Sequence, residues 1–111
     1  MKFERSDISM IRHASEADII EEFNKFGEDM DDFVVLSQND MNYIQAALSD
    51  FEGEGFILEY QEASLDKHFS ATDKNISKED ILSAFLAYLK GDSSWKEKFN
   101  WEKSLIEDED F

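Results

Sequence analysis

Apolar residues recur along this chain with two different periods. In residues 15–27 the period is helical: Ile19, Ile20, Phe23 and Phe26 stand at i, i+1, i+4 and i+7, which is one face of a helix. Ser15-Glu16-Ala17-Asp18 precedes them as a capping box with Asp in place of the usual Glu or Gln, and Gly27 is placed to end the helix in a left-handed conformation. A broader helical face comes later, with Ile81, Leu82, Phe85, Leu86, Tyr88 and Leu89 between the cap pattern Ser77-Lys78-Glu79-Asp80 and Gly91. Between the two helices the period falls to two. Phe33-Val34-Val35-Leu36 is a short apolar run, and Ser37-Gln38-Asn39-Asp40 reads as a polar turn. Over Met41–Leu48, the residues Met41, Tyr43, Gln45 and Ala47 share one face while Asn42, Ile44, Ala46 and Leu48 share the other. Phe56, Leu58 and Tyr60 likewise oppose Ile57, Glu59 and Gln61, and a fourth strand is expected around Lys67–Thr72 with His68 and Phe69 on opposite faces. The two glycines of Asp50-Phe51-Glu52-Gly53-Glu54-Gly55 suit a hairpin connection.

Short links between neighbouring strands favour antiparallel pairing. The pattern therefore predicts an α+β fold: an antiparallel sheet of about four strands with two main helices packed on one face, in the order α-β-β-β-β-α. A short C-terminal helical segment capped by Ser93 or Ser94 would pack back through Trp95, Phe99 and Trp101. At 111 residues a single domain is expected, with residues 1–14 and 104–111 irregular or frayed.

Composition sharpens this picture. Ten Phe, three Tyr and two Trp supply a core that disordered acidic chains lack. Against them stand 27 Asp and Glu and only 11 Lys and Arg, a formal net charge of -16. The excess is spread over both halves, so it is a property of the whole surface rather than of a tail. A compact domain this anionic repels nucleic acid and anionic lipid and attracts cationic partners; the plainer reading is that the charge serves solubility. The N-terminus opens no apolar signal-peptide core, and no apolar run approaches the ~20 residues of a membrane span. A cytoplasmic protein that binds neither nucleic acid nor membrane is expected.

Few residues point to catalysis. There is no cysteine, hence no thiol nucleophile or zinc-thiolate site, and no Gly-x-Ser-x-Gly elbow or His-Glu-x-x-His pattern. His13 lies in a polar stretch. His68 reads as a structural or interface histidine beside a carboxylate, and Glu59, sharing a strand face with Ile57, is open to partial burial. Asp50, Glu52, Glu54 and Gly55 fit the first positions of a calcium loop, but the twelfth is Gln61 instead of Glu and strands flank the loop, so an exposed acidic hairpin tip is the better reading. No metal or other cofactor is expected. The charges placed to meet a partner are Glu28, Asp29, Asp31 and Asp32 in a solvated acidic link, and Asp50, Glu52 and Glu54 at the hairpin tip, with Glu59 and His68 as further candidates. Phe33, Tyr43 and Phe51 are candidate aromatic anchors near them.

Phe56-Ile57-Leu58-Glu59-Tyr60-Gln61-Glu62, Asp66-Lys67-His68-Phe69, the helix through Ala84-Phe85-Leu86-Ala87-Tyr88-Leu89, Gly91-Asp92, Trp95 and Phe99-Asn100-Trp101 together resemble small bacterial α+β immunity proteins of polymorphic-toxin and contact-dependent inhibition systems. The resemblance covers about residues 33–103 and includes no catalytic signature. It implies a non-enzymatic antidote that binds and neutralises a cognate toxin domain, one expected to be basic. Two other readings stay open: an acidic accessory or regulatory binding module with no toxin, and a small hydrolase using Glu59 and His68.

Overall fold

A computed structural model describes residues 1–6, 10–27, 32–48 and 55–103. Among them run β1 (Lys2–Arg5), β2 (Met10–Ile11), α1 (Glu16–Phe23), β3 (Phe33–Asn39), β4 (Asn42–Leu48), β5 (Phe56–Gln61), β6 (His68–Ala71), α2 (Lys78–Leu89) and β7 (Trp101–Lys103). Single 3-10 turns occupy Leu65–Lys67 and Ser94–Lys98. The strands form one sheet in the order β2-β1-β3-β4-β5-β6-β7, with every neighbouring pair antiparallel.

The α+β class and the alternation within β4 and β5 are as expected, but the sheet has seven strands rather than four. The supposedly irregular residues 1–14 contain β1 and β2, and β1 lies between β2 and β3. Phe3, the single fully buried apolar residue of β1, pairs across from Leu36. β3 also runs on through Ser37, Gln38 and Asn39, leaving Asp40 and Met41 as the turn. There the Asn39 side-chain oxygen accepts from the backbone N–H groups of Met41 and Asn42. Trp101 packs back onto the domain as expected, and it also opens β7.

Helix ends follow the cap chemistry. Ser15 and Asp18 form the reciprocal capping box of α1. The Ser77 hydroxyl accepts from Asp80 N–H at the start of α2. At its end Gly91 takes φ +80°, Gly91 N–H donates to Tyr88 and Asp92 N–H donates to Ala87, which is a Schellman closure. The C-cap of α1 is Asn24, and Gly27, at φ +94°, lies in the turn beyond it.

Both helices lie on one face of the sheet. Phe3, Val34, Leu36, Ile44, Ala46, Leu58 and Tyr60 project from the strands into a core completed by Ile19, Phe23, Phe26, Ile81 and Phe85. Phe23 and Phe85 meet edge to face with centroids 5.3 Å apart, joining α1 to α2. At the far end Tyr60 meets Trp95 at 5.1 Å and Trp101 at 4.7 Å, which holds the last 3-10 turn and β7 to the sheet. Gly55 marks a close approach: a Cβ there would lie 2.4 Å from the Asn75 carbonyl carbon, beside the bridge that pairs Phe56 with Ile76.

Candidate functional site

The opposite face of the sheet carries neither helix. Its side chains come from the alternate positions of the same strands, and the register sorts them into rows. Val35, Gln45, Glu59 and Ser70 form one row, and Ser37, Tyr43, Gln61 and His68 form the next. Phe33, Ala47 and Ile57 form an apolar row on the other side of Gln45 and Glu59. The open face thus grades from apolar to polar along the strands.

The polar end is a hydrogen-bonded cluster. His68 is 1% exposed and Gln61 2%, although they lie on the face opposite α1 and α2. His68 Nε2 lies 3.1 Å from Glu59 Oε1, so this nitrogen carries a proton and donates to the carboxylate. Gln45 Nε2 donates to the same oxygen at 2.7 Å. Gln61 Nε2 donates to the Met41 carbonyl at 3.3 Å, which turns Gln61 Oε1 toward His68 Nδ1 at 3.1 Å. The Tyr43 hydroxyl lies 3.2 Å from Gln61 Oε1 and 3.3 Å from His68 Nδ1. A neutral ring accepts the tyrosine proton at Nδ1; a doubly protonated ring donates from Nδ1 to Gln61, and Tyr43 then donates to that same amide oxygen. Burial, followed by the nearby Glu59 charge, raises the Tyr43 pKa, so its hydroxyl keeps its proton.

Glu59 is where this cluster opens outward, its side chain 25% exposed. Oε1 takes two hydrogen bonds, whereas Oε2 has only a long contact to Ser70 Oγ at 3.5 Å. Among the described residues no lysine or arginine pairs with it. Lys74, the nearest candidate by sequence register, turns to Ser70 Oγ, the Ala71 carbonyl and Glu102. Glu59 lines a recess of about 290 Å³ with Phe33, Gln45, Ala46, Ala47 and Ile57. Phe33 is 43% exposed at its mouth, a large apolar ring left in water.

Asp32 is elsewhere and corrects an expectation. It is not part of a solvated link but 1% exposed, with its carboxylate turned inward. Ser6 Oγ donates to Oδ1 at 2.5 Å, and Gly27 N–H and Arg5 donate to Oδ2 at 2.9 and 3.1 Å. Arg5 also reaches Glu22 of α1 at 3.5 Å, so Asp32 ties β1, the turn after α1 and the start of β3 together. Burial pushes the Asp32 pKa up, but these donors and the Arg5 charge outweigh it and hold the carboxyl below the usual aspartate value. Glu28, Asp29, Asp31, Asp50, Glu52 and Glu54 lie outside the described residues, as do Phe51 and the calcium-type loop.

Of the expected site residues, then, the structure brings Glu59 and His68 into direct contact and places Asp32 on the helix side. Gln45, Gln61 and Ser70 were not singled out from sequence. The signal that could have found them is the strand alternation, which puts all three on the Glu59 face. Among the described residues no three His, Asp or Glu side chains are grouped to hold a metal ion, and no helix is long and apolar enough to cross a membrane. Compared with protein-family models, curated proteins and solved structures, the chain gives no match.

Proposed function

We propose that this protein is a non-enzymatic binding protein that neutralises a basic bacterial toxin domain, with the open face of its sheet as the contact surface. The observation that carries this reading is the Glu59 environment. A carboxylate without a lysine or arginine partner among the described residues is held by Gln45 and His68, on the sheet face opposite both helices, where Phe33 is exposed. Exposed aromatic and aliphatic area is the composition of an interface centre, and a fixed charge beside it sets register and specificity. The net charge of -16 adds long-range attraction toward a basic surface. The resemblance of residues 33–103 to immunity proteins is what favours a toxin domain as the owner of that surface.

The hydrolase alternative fits the cluster less well. Both His68 ring nitrogens face neighbours within the protein, so neither is turned toward a substrate or an attacking water. Ser70 Oγ approaches Glu59 and Lys74, and no hydrogen bond joins it to His68. What supports binding is thus a charge that is positioned but not poised for proton transfer.

The test is a calorimetric titration against the C-terminal domain of the protein encoded immediately upstream, at low and at high salt. One-to-one nanomolar binding that weakens with salt is expected. Absence of binding overturns the antidote reading for that pair and favours the accessory-module alternative.

A further inference from the structure

The recess beside Glu59 has a shape and chemistry that go beyond a generally acidic contact surface. Its volume, about 290 Å³, falls just below the about 300–1,000 Å³ of small-molecule and cofactor sites. One wall is apolar, made by Phe33, Ala47 and Ile57 in a single cross-strand row. The other wall is polar and consists of Gln45 and Glu59, which face each other across β4 and β5. One Gln45 amide N–H donates to Glu59 Oε1, and no described group donates to the Gln45 carbonyl oxygen, which keeps acceptor capacity. Glu59 Oε2 keeps acceptor capacity as well. The polar wall therefore offers two acceptors, one of them charged, and the apolar wall offers an aromatic face and two aliphatic groups.

We infer that this recess receives one arginine side chain of the partner, its guanidinium on Glu59 and Gln45 and its aliphatic stem along Ala47, Ile57 and Phe33. The inference rests on the binding-protein reading above. Charge complementarity commits the site to a cation, because Glu59 has no lysine or arginine counter-ion among the described residues. Arginine is favoured over lysine for two physical reasons. A planar guanidinium satisfies two acceptors at once, whereas an ammonium is a point charge that is more strongly hydrated. The buried His68 and Gln61 in the next row then have a definite role. Gln61 fixes His68, and His68 holds the Glu59 carboxylate in one orientation before the arginine arrives, so less freedom is lost on binding.

The probe is N-acetyl-arginine amide, titrated into the isotope-labelled protein at about 0.15 M salt so that diffuse attraction is screened. The readout is the amide NMR spectrum. Saturable shifts confined to Gln45, Ala47, Ile57, Glu59 and Phe33 are expected, and the neutral citrulline analogue should bind at least about tenfold more weakly. Glu59→Gln, which keeps the shape and an acceptor, should abolish the saturable shifts. Ala47→Leu, which fills the recess without touching Glu59, should do the same and stands in if the first variant misfolds. Shifts scattered over the acidic surface, an equal response to citrulline, no saturable response, or an undiminished response in both variants would each overturn the inference.

The same variants separate this inference from the wider reading. With the upstream toxin domain, Glu59→Gln should weaken binding about 30-fold or more, as for removal of one partner of a desolvated charge pair. Tight binding that both variants leave unchanged removes the arginine recess but keeps the antidote. Recess binding of the arginine probe without any binding of the toxin domain keeps the recess but removes the antidote.

Discussion

The same strands build two unlike surfaces. On the covered face, Val34, Leu36, Ile44 and Leu58 are fully buried, and their neighbours, among them Phe85 of α2, are apolar. On the open face, one residue along in each strand, stand Gln45, Glu59, Gln61 and His68, linked by hydrogen bonds. The covered face needs only hydrophobic residues of suitable volume, so its members are exchangeable within limits. The open face needs particular donors and acceptors, since each buried polar group left unpaired is costly. His68 and Gln61 are nevertheless buried on the face opposite the two helices. Once buried there, they are held by hydrogen bonds to each other, to Tyr43 and to Glu59.

The largest effect should come from the covered face. Phe85→Ala removes a ring that touches both Phe3 and Phe23, and it should cost about 3–5 kcal/mol in a urea titration. Gly55→Ala drives a Cβ into the Asn75 backbone and should cost about 1–3 kcal/mol by the same titration. If either change is neutral, the covered face does not carry the stability assigned to it.

Asp32 sharpens the comparison from the helix side. Its folded pKa is lowered, so its contribution to stability is present above the unfolded carboxyl value, about 3.9, and is lost as the pH falls through the folded value. Asp32→Asn should therefore destabilise the protein at pH 7 by about 1.5–3 kcal/mol, the worth of hydrogen bonds to a charged group, and flatten the acid limb of a stability–pH curve. An unchanged acid limb would remove Asp32 from the tie between β1 and α1.

On the open face, His68→Ala strips a donor from Glu59 and a partner from Gln61 and should cost about 1–3 kcal/mol. Ile57→Ala, in the recess wall, should change stability by only about 0.5–1 kcal/mol while weakening partner binding. Equal losses of stability and binding in Ile57→Ala would show that the recess is part of the packing rather than a contact surface.

Sequence legibility followed the strength of each local signal. Both helices were readable because Ser15, Ser77 and Gly91 supply cap chemistry as well as periodicity. The faces of β4 and β5 were readable because six or more residues alternate without a break. β1, β2 and β7 were not, because runs of four, two and three residues are too short to show a period. In β1 the inward position after Phe3 is Arg5, whose charge hides the alternation until Asp32 and Glu22 are seen beside it. Asp32 was misread for the matching reason: it ends an acidic run, and its buried partners lie 26 and 27 residues away. The Glu59–His68 contact depended on knowing that β5 pairs with β6 in one register, which residue types alone do not specify.

The central claim is that one sheet face makes the fold and the other meets the partner. It is tested most directly by mapping backbone amide shifts on the labelled protein when the upstream toxin domain binds. The account predicts a footprint on Phe33, Gln45, Ala47, Ile57 and Glu59, with the outer surface of α2 at Glu79, Ser83 and Lys90 unchanged. A footprint on that surface of α2, with the open face of β3, β4 and β5 silent, would contradict it.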